Sequence, residues 1–142
     1  MLPGMVTDGV TVEMVRPLFA AAWGVDTCDP AEAPTWQPDN PSRGQCGVTS
    51  LVLQDLLGGE LILAEVFVGD EKVGYHYWLR LPDDTEVDLT ADQFRPEERV
   101  VGGEVRHRPP DAPRRAREQY ELLRSRVFAA LDGMGVATPF MG

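Results

Sequence analysis

Cys46, His76 and Asp88 follow one another along this chain, and together they have the side chains needed to make and use a thiolate. A thiol attacks a carbonyl as its anion, and a nearby imidazole is what takes the proton at neutral pH. Cys46 comes directly after the turn Asn40-Pro-Ser-Arg-Gly-Gln and opens an apolar stretch of helical spacing. The free N–H groups and positive dipole end of a helix favour an anion there, and Arg43 in the same turn adds to the effect. His76 is one of two histidines and shares one face of an alternating segment with Trp78 and Arg80. A carboxylate at Asp88 is suited to hold the imidazole and favour its charged form.

Whether Asp88 reaches His76 depends on a hairpin register. If Pro82-Asp83-Asp84 form a three-residue loop, Leu81 faces Thr85 and Trp78 faces Asp88. Asp88 is then a diagonal neighbour of His76, at about 7 to 8 Å between backbones. A two-residue loop sets Leu79 opposite Asp88 and turns the carboxylate to the other face. A tetrahedral oxyanion also needs donors, and Asn40 and Gln45 are the side-chain candidates beside the backbone N–H of Cys46. Trp36 and Trp78 are candidate substrate contacts, though such residues are also ordinary anchors. Arg80 can meet an acidic group of a substrate, with an ion pair to a local carboxylate as its commoner fate.

These residues must be positioned by a small number of elements. Val12, Val15, Leu18, Phe19 and Ala22 give a short amphipathic helix within Val10 to Trp23, interrupted near Pro17. From Gly24 to Gly44 the chain is rich in Pro, Asp, Asn and Gly and reads as a long surface loop anchored by Trp36. Val48, Leu51, Val52, Leu56 and Leu57 predict a buried helix from Cys46, stopped by Gly58-Gly59. Glu60 to Val68 is apolar on both parities, as in a central strand, and Gly69 to Lys72 is the turn. Gly74 to Leu81 alternates as a second strand, and Thr85 to Thr90 returns as a third. Arg106 to Arg117 reads as a Pro- and Arg-rich linker, with Arg114, Arg115 and Arg117 near the start of a final helix that ends near Gly133.

The chain has 142 residues, 43 % of them hydrophobic and 25 % charged, which fits one soluble globular domain covering 1–142. A formal charge of -10 repels a phosphate backbone or an anionic bilayer, so neither nucleic acid nor a membrane is expected as a partner. No apolar run approaches a membrane span and the first residues lack the pattern of a signal peptide, so the expected location is the cytoplasm. Cys28 in Thr27-Cys-Asp-Pro has no evident base, and His107 in Arg106-His-Arg-Pro-Pro reads as solvated. Two cysteines and two scattered histidines give no ligand spacing for a metal, and no organic cofactor is needed for thiol chemistry.

The stretch Asn40-Pro-Ser-Arg-Gly-Gln-Cys-Gly-Val-Thr-Ser-Leu-Val-Leu-Gln-Asp, the following Gly58-Gly-Glu, His76-Tyr-Trp and Asp88-Leu-Thr resemble the YunG family over roughly residues 36 to 94. More distantly, a cysteine at a helix start, His-x-Trp on a strand and Asp on the next strand are similar to the papain-like superfamily in its transglutaminase, arylamine acetyltransferase and NlpC branches. That resemblance implies Cys46 as nucleophile, His76 as base and Asp88 as orienting group. Asn40 stands where papain-type enzymes place a glutamine, which departs from the pattern.

The expected fold is α+β: a central antiparallel sheet with the Cys46 helix packed across it, a minimal papain-like core capped by the last helix. The expected function is acyl transfer or hydrolysis at an amide or thioester carbonyl of a small-molecule, peptide or protein substrate. The alternative is a binding or interaction module in which Cys46 is only structural.

Overall fold

The computed structural model describes residues 9–108 and 116–136. Arg114 and Arg115 lie outside them, as does most of the expected linker. Helix α1 spans Val12–Ala22, α2 Cys46–Leu57 and α3 Arg117–Gly133. Strands β1 (Glu60–Val68), β2 (Glu71–Arg80), β3 (Glu86–Val87) and β4 (Glu98–Arg106) form one sheet in the order β3-β2-β1-β4, and every neighbouring pair is antiparallel. The architecture is therefore α+β, with a four-stranded antiparallel sheet and three helices. No helix among the described residues is long and apolar enough to cross a membrane.

Pro17 does not interrupt α1. Thr11 caps the helix by accepting the Met14 N–H, and Val15, Phe19 and Ala22 are buried on one side, which outweighs the backbone bond that proline cannot make. The turn between β1 and β2 is shorter than expected, because Glu71 and Lys72 already pair with Val68 and Phe67. Strand β4 occupies residues the sequence left unassigned and takes in Arg106 from the expected linker. It lies at the sheet edge with almost every side chain exposed, so no hydrophobic alternation announces it.

The main core lies between helices and one face of the sheet. Val48, Val52, Leu53 and Leu56 of α2 meet Leu61, Leu79 and Val87 of the sheet and Leu123, Val127 and Leu131 of α3. Ile62, Ala64 and Val66 of β1, which point to the opposite face, are also buried, and this accounts for a strand that is apolar on both parities. A charged cluster locks the helices together. Asp55 of α2 accepts hydrogen bonds from the Arg108 guanidinium at 2.7 Å and the Tyr120 hydroxyl at 2.6 Å, with Arg124 Nε at 3.3 Å.

Asp55→Ala leaves Arg108 and Tyr120 facing a void in place of a carboxylate. The expected loss is about 3 kcal/mol of stability, as for breaking a buried ion pair, read as a lower urea midpoint with an unchanged slope.

Candidate active site

The chain meets the site first in the loop that feeds α2. Gln45 is fully buried, accepts the Thr27 hydroxyl at 2.9 Å and donates to the Gly24 carbonyl at 2.9 Å. The backbone of Gly44 accepts from the Asp29 N–H, and the Cys28 thiol donates to the Arg43 carbonyl. Gly44 has φ +72, and a Cβ there would stand 2.5 Å from Cys28 Sγ, so glycine is required on both dihedral and steric grounds. These contacts deliver Cys46 as the first residue of α2, half-exposed at a helix N-terminus.

The hairpin resolves the question of register. Arg80 pairs with Glu86, Leu79 pairs with Val87, and the Leu81 N–H bonds the Thr85 carbonyl. Pro82, Asp83 and Asp84 are therefore a three-residue loop, with Asp84 in the left-handed region at φ 69. Asp88 consequently lies on the His76 face. Its Oδ2 is 2.6 Å from His76 Nε2, while its Oδ1 accepts the Thr90 N–H at 3.2 Å.

Only 1 % of the His76 surface is exposed, and its ring is closed in by Trp78 at 5.6 Å and by Phe94, perpendicular to it, at 4.7 Å. With Nε2 on Asp88, Nδ1 is buried and has no hydrogen-bond partner among the described residues. Burial by itself pulls the His76 pKa down, but Asp88 and the Cys46 thiol outweigh it, and the value is pushed up to about 9. Cys46 acts on the ring through hydrogen-bonding proximity ahead of its charge, although no hydrogen bond of ordinary geometry joins the two. Strand β3 ends at Val87 and leaves the edge of β2 open beside His76 and Tyr77. Cys46 acts on Tyr77 as well: burial first, and then Cys46, raise the phenol pKa.

The other expected residues are distributed differently. Asn40 donates its amide to the Gln93 carbonyl at 3.0 Å, and both ends of the Gln45 amide are bound to Thr27 and Gly24. Both side chains are engaged in holding the loop, which leaves the N–H groups of the first turn of α2 as donors near the thiol. Trp36 donates to the Pro41 carbonyl and anchors its own loop. Arg80 takes the local ion pairs, with Glu60 at 3.8 Å and Glu86 at 3.7 Å. Trp78 stands beside the imidazole as expected and donates its indole N–H to Glu86 at 2.8 Å. Arg43 does not add free positive charge near the thiol: it is buried in a two-point pair with Glu98, at 2.8 and 3.2 Å. Cys28 is buried, and desolvation followed by Asp29 and Glu32 pushes its thiol up to about 11.

Sequence reasoning missed Gln93 and Phe94. Gln93 accepts the Gly44 N–H on its Oε1, and its carbonyl receives Asn40, so the crossover after Asp88 is tied to the loop before Cys46. Ser42 reinforces this by donating to Asp92 at 2.7 Å. No local pattern signals such contacts, because the partners are about fifty residues apart. Cys46 opens onto a cleft of about 800 Å³ that includes Gly47, Leu51, Leu63, Tyr77, Phe94 and Glu98 in its walls.

An α+β protein in which a helix-terminal cysteine stands beside a buried histidine paired with an aspartate is the class that fold and site define. The family model described as "YunG protein" matches residues 11–132, and the chain belongs to the YunG family. It is 38 % identical over 60 residues to "Uncharacterized protein YunG" of Bacillus subtilis (strain 168), a match covering 42 % of this chain and 47 % of that protein. The chain therefore spans about half the length of that relative. No solved structure matches.

The His76 value of about 9 lies above the ordinary 6.5. The charged pair therefore stabilises the fold fully below the unfolded value and progressively less as pH rises through about 9. Asp88→Asn removes the carboxylate but keeps the burial, so the imidazole pKa falls, as followed by NMR of the ring protons. The stability gap between the native protein and this variant is widest near pH 6 and narrows by about pH 10.

Proposed function

We propose that this protein is a cysteine-dependent acyl-transfer or hydrolytic enzyme acting on an amide or thioester carbonyl. The observation that carries the reading is the 2.6 Å pair between His76 Nε2 and Asp88, which leaves the other imidazole nitrogen free of any aligned bond beside Cys46. In the reaction Cys46 and His76 form a thiolate–imidazolium pair. The thiolate sulfur forms a bond to the carbonyl carbon, and the π pair moves onto oxygen, where the N–H groups at the start of α2 stabilise it. Collapse of that intermediate breaks the bond to the amine or thiol, which leaves with the proton held by His76. Water or another acceptor, losing its proton to His76, then attacks the thioester and releases Cys46.

Asp88 holds the ring orientation and favours its charged form throughout. On this reading the sheet with α2 laid across it is a minimal papain-like core in a single domain. The substrate is a small molecule, peptide or protein met in the cytoplasm. The chemistry requires no organic cofactor.

The test is the rate of Cys46 alkylation by iodoacetamide from pH 5 to 9, with Cys28 as the internal reference. Labelling of Cys46 stays fast at low pH and drops about 100-fold in folded His76→Ala, the usual scale for losing an acid–base partner. Slow labelling that matches Cys28 and ignores the substitution favours the binding-module alternative.

A further inference from the structure

Resting on the reading of Cys46 as nucleophile, we propose that the cleft beside it receives a linear apolar acyl group, laid between α2 and the sheet with its carbonyl carbon at Cys46 Sγ. Leu53 and Leu56 of α2 and Leu61 and Leu79 of the sheet close the helix–sheet seam at one end, none more than 5 % exposed. Leu63 and Tyr77 are cross-strand partners on the same sheet face as Leu61 and Leu79. Together with Leu51 of α2 they are only half-buried, and all three line the cleft that contains Cys46. The apolar surface that makes the core thus continues up to the thiol, and none of the described residues covers it.

Gly47 supplies an independent reason. A Cβ at this position would meet only the Tyr77 ring, at an ordinary 4.0 Å, and its φ is not in the left-handed region. Neither backbone nor packing demands glycine inside this helix, where alanine is the better helix former. What glycine does is keep the trough open beside Sγ. The charged groups in the cleft wall are Asp29, Glu32, Arg43, Glu98, Arg106 and Arg108; Arg43 is paired with Glu98 and Arg108 with Asp55, while Arg106 lies close enough to act on the Tyr77 phenol. An apolar chain along Leu51, Leu63 and Tyr77 displaces water from apolar surface, and the Arg43 and Arg108 charges in the same wall are already answered by Glu98 and Asp55.

The test uses a series of alkyl chloromethyl ketones on the full chain, from chloroacetone through the propyl and pentyl to the heptyl ketone. Each alkylates Cys46 by forming a C–S bond and expelling chloride, and each rate is divided by that with N-acetylcysteine. The expected result is a rise of about fourfold per methylene through the pentyl ketone, the gain for burying a CH₂ group. The rise is lost in Gly47→Leu, which fills the trough with a good helix former. A flat or falling series with fast, His76-dependent labelling overturns the acyl trough and leaves the nucleophile reading intact. Uniformly slow labelling, equal to Cys28 and indifferent to His76→Ala, overturns both.

Discussion

A histidine with 1 % of its surface exposed keeps a proton only if a fixed anion answers for it, and the site in this protein depends on that constraint. Asp88 meets it at 2.6 Å, while Thr90 holds the second carboxylate oxygen through a local turn. Trp78 and Phe94 then exclude water from the ring, so the interaction acts in a medium where it is strong. One residue of slip in the β2–β3 hairpin would put Asp88 on the other face and leave the imidazole buried and unpaired. Asp84, in the left-handed conformation, completes the three-residue loop that prevents this slip.

The second requirement is that a helix and a sheet built from distant stretches of chain meet at one point. Two buried amides arrange it. Gln45 holds the turn at Gly24 and Thr27 against the start of α2, and Gln93 ties the crossover after Asp88 to Gly44 and Asn40. The Arg43–Glu98 pair extends the same seam to the start of β4. The two amides are buried with their hydrogen bonds made, so they fix position at little desolvation cost, whereas the buried Arg43 Nε has no partner among the described residues. Among the described residues, freedom at the site is thereby confined to the cleft side of Cys46, where Gly47, Leu51 and Tyr77 line the cleft.

The arrangement also separates two thiols by environment. Cys28 is sealed in the loop with its hydrogen given to the Arg43 carbonyl, and burial and nearby carboxylates hold it protonated. Cys46 starts a helix, half-exposed, beside a histidine whose charge is already stabilised. A short β3 makes this possible. Because β3 stops at Val87, the edge of β2 at His76 and Tyr77 is free for the start of α2. Membership of the YunG family, shown by the match over residues 11–132, assigns no reaction to this chemistry.

The spacing of Val48, Leu51, Val52 and Leu56 determined α2 and placed Cys46 at its start, and the two-sided apolarity of Glu60 to Val68 determined a central strand. Those signals are readable because burial imposes its period directly on neighbouring residues. Strand β4 was not readable, since an edge strand exposed on both faces carries no such period, and Pro17 misled because tertiary burial of Val15 and Phe19 overrode a local penalty. The candidate triad was legible as three residue types in order, but two hairpin registers were open to Asp88. Asn40 and Gln45 were equally plausible oxyanion donors until their amides were seen bound to Gln93, Thr27 and Gly24. Local sequence determines the elements that bury a face, because period and turn chemistry act over a few residues. Only the tertiary structure decides which side chains remain free at the site, because that depends on partners about fifty positions away competing for the same donors and acceptors.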